Sequence, residues 1–179
     1  ILREIKNAYP RCNLQVIASK ANQEIAMTNP YIDLVHIYEN KWNKLLPLLM
    51  KLRFYHFDLA IELEAKIVTR IILMLRIISP NCILSVSKRE GRYGIEPKEF
   101  SSYDFYTDEK INHQRDTCLD ILRLLNIRSK KKNYDIFYLE KHKDKALKFL
   151  KNFDSNDIII GLNISGSSQE KKILDNDVD

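Results

Sequence analysis

The sequence predicts an α/β domain built on a parallel sheet with helices on both faces. Three observations predict it. Short apolar runs of strand length alternate with stretches of helical periodicity along most of the chain, the order that gives parallel strands joined by crossover helices. Near the end, residues 157–163 form an apolar strand pattern. It runs straight into Ser165-Gly166-Ser167-Ser168 and then Lys171-Lys172, the arrangement by which such domains hold a phosphate at the carboxyl end of a strand. With only 4 glycines and 5 prolines in 179 residues, no long disordered or low-complexity segment breaks the alternation.

The elements follow in order. Ile1, Leu2, Ile5, Ala8 and Tyr9 repeat with a helical period that Pro10 ends. Residues 13–19 read as a strand, 23–28 as a short helix closed by Asn29-Pro30, and 32–38 as a second strand. Leu45, Leu46, Leu48, Leu49 and Leu52 recur at helical spacing. Pro47 puts the start of that helix near Lys44, because only first-turn amides lack partners in any case. A strand over 57–63, a strongly apolar helix over 66–78 and a short strand over 82–86 continue the pattern. Residues 87–108 show no clean period and read as a loop across the top of the sheet. A helix over 113–125 follows, with Cys118, Leu119, Ile121, Leu122 and Leu125 inward. Then come a strand over 135–139, a helix over 143–153 and the final strand over 157–163. A strand that opens a phosphate site so near the end of the chain is expected to begin a second domain, so the chain is expected to be incomplete.

The net charge of +5 comes mainly from lysine, at Lys130-Lys131-Lys132 and along Lys141, Lys143, Lys145, Lys148 and Lys151. Solvated loop and helix faces are the common reason for such runs. No aromatic residues interleave with them, so a nucleic-acid partner is not expected. Cys12, Cys82 and Cys118 match no zinc or redox spacing and read as reduced, mostly buried thiols. The four histidines are equally scattered, and no metal site is expected. The apolar run 67–78 is too short to cross a bilayer and is interrupted by Arg70 and Arg76. Neither it nor the N-terminus reads as a signal peptide.

Ligands of a parallel sheet bind beyond the carboxyl ends of its strands. Those ends offer Ser19 and Lys20, Glu39 and Asn40, Glu62 and Glu64, Ser87 to Arg89, and Ser165 to Lys172. Glu62 and Glu64 alternate along one strand, so both face a cleft or both are masked, and a salt-bridged or solvated role is the commoner one. In the terminal turn, backbone amides and hydroxyls suit phosphate oxygens, and Lys171 or Lys172 neutralises their charge. No GxGxxG, Walker loop, nucleophile elbow or zinc motif occurs.

Several segments in order resemble glycosyltransferase family 9, the lipopolysaccharide heptosyltransferases (ADP-heptose:LPS heptosyltransferase) and their relatives. They are Leu2-Arg3-Glu4-Ile5-Lys6-Asn7-Ala8-Tyr9-Pro10, Asn29-Pro30-Tyr31-Ile32-Asp33-Leu34-Val35, and Phe57-Asp58-Leu59-Ala60-Ile61-Glu62-Leu63, then His113 with the helix ending Leu122-Arg123-Leu124-Leu125-Asn126-Ile127, and the stretch from Ile160 to Lys172. The resemblance implies a GT-B fold of two Rossmann-like domains. Residues 1–154 would be the N-terminal, acceptor-side domain without its first strand, and 155–179 the start of the nucleotide-sugar-binding C-terminal domain. It implies transfer of a sugar, heptose in the first instance, from a nucleotide diphosphate to a lipid-linked core saccharide of the lipopolysaccharide type. The nucleotide-sugar, ADP-heptose in the family, is a substrate, and no cofactor or metal is implied.

The residues implied to bind the donor diphosphate are Ser167, Ser168 and Lys171, with Lys172 at a commonly basic position. Ile173-Leu174 stands where the family has Trp-Pro. The family's catalytic aspartate lies in a Gly-Asp loop that would fall upstream of Ile1, so this chain alone is expected to be inactive, and the missing strand is expected to leave a gap in the middle of the sheet and marginal stability. Glu62 and Glu64 are acceptor-side candidates, at a place where the family carries Gln-Gly and then a basic residue before Ser. The implied location is cytoplasmic, peripheral on the cytoplasmic face of the inner membrane. There the basic, apolar helix 41–53 would rest near anionic lipid, and helix 66–76 would serve chiefly as core. The alternative is a non-catalytic remnant or binding module of the same fold.

Overall fold

The computed structural model describes residues 1–64, 66–86, 103–107, 114–128 and 134–153, together with Ile158 and Ile160. The chain divides into two compact units, Ile1–Tyr138 and Leu139–Asp179. The first holds α1 (Leu2–Ala8), β1 (Gln15–Ser19), α2 (Gln23–Met27), β2 (Leu34–Tyr38), α3 (Trp42–Arg53), β3 (Ala60–Glu62), α4 (Thr69–Ile78), β4 (Ile83–Ser85), β5 (Phe105–Tyr106) and α5 (Gln114–Leu124). The second holds α6 (Glu140–Leu150). The expected boundary at 154 and 155 lies outside the described residues.

All strand pairs are parallel, as strands joined through helices require. Among the described residues they form two sheets, β1-β2 and β3-β4-β5. The hydrogen bonds show which edges stay open. Asp33 donates its amide to the Leu14 carbonyl, which turns the backbone of Gln15 and Ile17 away from β2. Ala60 donates to Cys82 and Val86 to Glu62, which turns Leu59 and Ile61 away from β4. Both β1 and β3 are therefore edges, and no described strand pairs with either outward side.

One device recurs at the strand entries. The Asp33 carboxylate accepts from the Leu14 amide at 2.6 Å while the Asp33 amide donates to the Leu14 carbonyl at 2.9 Å. Asp104 repeats this with Ile83, at 2.6 and 2.9 Å. Lys6 adds an ion pair to Asp33 and donates to the Cys12 carbonyl, which ties α1 to the same corner. Just before it, the Asn29 side chain accepts from the Tyr31 amide and the Asn29 carbonyl from Ile32, a turn with Pro30 at its second position. The Asn-Pro-Tyr-Ile-Asp motif is thus an architectural device at the amino ends of the strands.

Leu45, Leu49 and Leu52, on one face of α3, bury fully with Ile78 of α4, flanked by Tyr38 and Phe57. Each such leucine contributes about 1.5 to 3 kcal/mol. Ile121 of α5 packs under Leu84 and Val86, with Leu59 and Ile61 beside them. α4 ends at Ser79, whose left-handed φ of 54° takes the helix C-terminus into Pro80. α5 ends likewise, with Asn126 at φ 56° and Ile127 donating to the Leu122 carbonyl.

Several expectations need correcting. α3 starts at Trp42 rather than near Lys44, which leaves Pro47 inside the helix. The bond it forfeits is to the Asn43 carbonyl, and both residues lie on the exposed side of the helix, where the loss costs least. Residues 135–139 are not a strand: Tyr134, Ile136 and Tyr138 point outward, and the segment is held by side chains instead. Arg3 pairs with Asp135, Thr28 donates to the Phe137 carbonyl, and Phe137 meets Tyr31 edge to face. The segment read as a loop over 87–108 contains β5, which extends the second sheet. α6 begins at Glu140, three residues early. Cys12, Cys82 and Cys118 are partly rather than mostly buried, with no disulfide among them. Of the strand expected over 157–163, only Ile158 and Ile160 are described, and neither carries regular structure.

Candidate functional site

Where β1 and β2 end, a cleft of about 550 Å³ opens, lined by Ser19, Lys20, Ala21, Tyr38, Glu39, Asn40, Lys41 and Arg70. Each side chain arrives there for a local reason. Ser19 and Tyr38 are the last residues of paired strands, in register with each other. Lys41 precedes the first turn of α3, and Arg70 is the second residue of α4. Neither helix start has a side-chain cap or an acidic residue in its first turn. Two sets of uncapped amides therefore add their positive ends to Lys20, Lys41 and Arg70.

Arg70 is the centre of this electrostatics. Its guanidinium carbon stands 5.1 Å from the centre of the Trp42 ring, and its Nε is buried with no hydrogen-bond partner among the described residues. The aromatic face holds the guanidinium in place, and the fork of an arginine so held suits a carboxylate or phosphate at its outer nitrogens. The one carboxylate on the rim is already engaged: Glu39 accepts from Lys44 at 2.6 Å, and that bond first of all lowers its pKa. The cleft can hold a phosphate or carboxylate without first expelling an acid.

At the carboxyl end of the second sheet, Glu62, Ser85 and Tyr106 stand in register across β3, β4 and β5. Glu62 is buried; Ser85 donates its hydroxyl to Oε2 at 2.8 Å, and the Glu64 amide donates to Oε1 at 2.6 Å. Tyr103 meets Tyr106 edge to face, and burial pushes the Tyr103 hydroxyl up to about 12. Glu62 and Glu64 are not equivalent, contrary to the alternation argument. β3 stops at Glu62, so Glu64 lies beyond the pleat, exposed, with its carboxylate toward the Lys66 amide. Glu62 thus shapes the backbone after β3, while Glu64 is a surface group.

The reading from strand ends brought Ser19, Lys20, Glu39 and Asn40 together, and the structure joins all four in one cleft. It missed Arg70, visible beforehand only as a charge interrupting an apolar helix. Ser167, Ser168, Lys171 and Lys172 lie outside the described residues, as do residues 87–89. Among the described residues no group of His, Cys, Asp and Glu is placed to hold a metal, and no helix is long and apolar enough to cross a membrane.

No protein-family model matches the sequence, and no curated protein matches it. The fold, however, has a solved counterpart, the crystal structure of the glycosyl transferase family 9 from Veillonella parvula. The two superpose with a TM-score of 0.68 at 19% identity over 96% of this chain and 49% of that one. The chain spans about half the length of that structure, and over that half it shares a fold of parallel sheets and helices.

Proposed function

We propose that this chain is the acceptor-side half of a glycosyltransferase, and that the basic cleft beyond β1 and β2 receives an anionic group of the acceptor saccharide. The observation that carries the reading is Arg70, stacked on Trp42, in a cleft of three cations and two helix starts, at the strand ends where such folds bind ligands. The likeness of fold to a glycosyl transferase supports it. The sugar is a heptose carried on a nucleotide diphosphate, and the acceptor a lipid-linked core saccharide whose phosphates or acidic sugars meet Arg70, Lys20 and Lys41.

Transfer is a direct displacement at the anomeric carbon. The acceptor hydroxyl attacks, a general base takes its proton, and the nucleotide diphosphate leaves with both electrons of the broken bond. Ser167, Ser168 and Lys171 steady the leaving diphosphate, and the 155–179 segment opens the donor-binding domain.

The test is sugar transfer by the complete gene product, with donor and acceptor varied separately. Replacing Arg70 with Ala is expected to raise KM for an anionic acceptor roughly ten- to a hundredfold, the worth of a lost charge-assisted hydrogen bond, with donor KM unchanged. Unchanged acceptor KM removes the cleft from the reading. Absence of any transfer, with the protein folded, favours a non-catalytic remnant.

A further inference from the structure

Lys44 is not among the residues that line the basic cleft, yet it engages the one acid that is. Glu39 follows directly on β2 and precedes Lys41, where the chain turns into α3. Among the described residues its ion pair is with Lys44, in the first turn of α3, and not with the lining Lys20 or Lys41. Lys44 donates to Oε1 at 2.6 Å. The lining lysines are nevertheless close enough to act on the acid. The bond from Lys44 first, then its charge and those of Lys20 and Lys41, hold the Glu39 carboxyl below its usual range. We propose that Lys44 is a positioning residue of the cleft: by holding the Glu39 carboxylate it keeps Lys20 and Lys41 open to an anionic ligand, and without it Glu39 becomes the anion that they bind.

The competition is between a tethered anion and a free one. Three cations and two uncapped helix starts make the cleft the most attractive place near Glu39 for a carboxylate that has lost its partner. Being part of the chain, that carboxylate is present there at an effective concentration of roughly millimolar or more, so a dilute ligand meets a site already neutralised. The ion pair itself is exposed, with Lys44 at 54% and Glu39 at 42%, and such pairs add little to stability. Lys44 therefore governs where one charge rests rather than whether the chain folds. That the opening serves an acceptor saccharide rests on the glycosyl-transfer reading, whereas the holding of Glu39 does not.

Trp42 is the chain's single tryptophan, and its ring centre lies 5.1 Å from the guanidinium carbon of Arg70, which lines the cleft. Quenching of its emission by iodide counts the anions drawn to this place, and quenching by neutral acrylamide counts access alone. The ratio of the two is measured on the 179-residue chain at constant ionic strength, for the wild type, Glu39→Gln, Lys44→Met and the double variant. The wild-type ratio is expected to exceed that of N-acetyltryptophanamide. Lys44→Met is expected to lower it about twofold, by the lost cation and the arriving carboxylate together. Those two causes have the same sign, and the double-mutant cycle separates them. Glu39→Gln is expected to change the ratio little while Lys44 is present and to restore it when Lys44 is absent. Lys44→Arg keeps the wild-type ratio, and the circular-dichroism melts of all variants coincide.

Equal effects of Glu39→Gln in the two backgrounds would mean that Lys44 and Glu39 act as separate charges, and would overturn the inference. A ratio unmoved by Lys44→Met overturns it as well. A wild-type ratio no higher than that of N-acetyltryptophanamide means that the cleft draws no anions, and removes the anionic-acceptor reading of the cleft along with this one. A raised wild-type ratio without coupling leaves that reading standing, so the two fail separately.

Discussion

Single residues carry more of this fold than their types announce. His36, in the middle of β2, is buried with Nε2 2.7 Å from the Gln15 amide oxygen and its ring edge-on to Tyr55. Burial first, and the charge of Lys51 second, lower its pKa below the ordinary 6.5. The sign of the consequence follows from proton counting. Above about pH 6.5 the folded and unfolded states are both neutral here, and His36 has no effect on the balance. As pH falls below that, the unfolded chain takes up a proton that the folded one refuses, so stability drops. Denaturant melts at pH 7.5 and 5.5 are expected to differ, and His36→Gln is expected to shrink the difference; an equal drop in the variant would clear His36 of the effect. Nothing in the sequence marks this histidine as buried, since Leu-Val-His-Ile-Tyr lacks the alternation that assigns faces. Asp33 and Asp104 were equally silent, because a carboxylate that accepts from a neighbouring strand is specified by register, not by its own flanks.

Among the elements, α3 was the most legible. Three leucines at 45, 49 and 52 repeat with helical spacing, and they are the residues that the fold buries. Leu49→Ala is expected to cost about 2 to 5 kcal/mol through the cavity it leaves. Leu46→Ala, three positions earlier on the exposed side of the helix, is expected to cost no more than about 0.5 kcal/mol. Chemical denaturation of the two variants separates them, and equal losses would mean that the burial pattern has been misassigned. Residues 135–139 were the converse case. Tyr-Asp-Ile-Phe-Tyr-Leu has the apolar and aromatic composition of a strand, yet Tyr134, Ile136 and Tyr138 face solvent. Period alone could not foresee that Arg3, Thr28 and Tyr31 would hold the segment in place of a ladder.

For the molecule as a whole, the alternation of elements was readable, but the division into two sheets rests on pairings between residues far apart in sequence. The open sides of β1 and β3 give a measurable contrast. Ile17 and Ile61 turn their amides outward, whereas the Ala60 amide donates to the Cys82 carbonyl. Amide exchange of the 179-residue chain is expected to be faster at Ile17 and Ile61 than at Ala18 and Ala60. Equal protection would reveal a strand pairing along those edges. Only part of the candidate site was legible for the same reason: strand ends could be named from the sequence, whereas Arg70 reaches the cleft because α3 and α4 pack together.

The paired use of Asp33 and Asp104 bears on how the chain avoids misassembly. A hairpin sets the alignment of its two strands through its turn, but strands joined through helices have no such ruler, and a slip of one residue turns every side chain to the wrong face. Each aspartate checks the alignment at two points, since its carboxylate needs an amide and its own amide needs a carbonyl from the same residue across the gap. After a one-residue slip, the residue opposite points both groups to the other edge, and the carboxylate is left beside the backbone without a donor. A wrong alignment is therefore penalised at the first rung, before the rest of the strand has zipped.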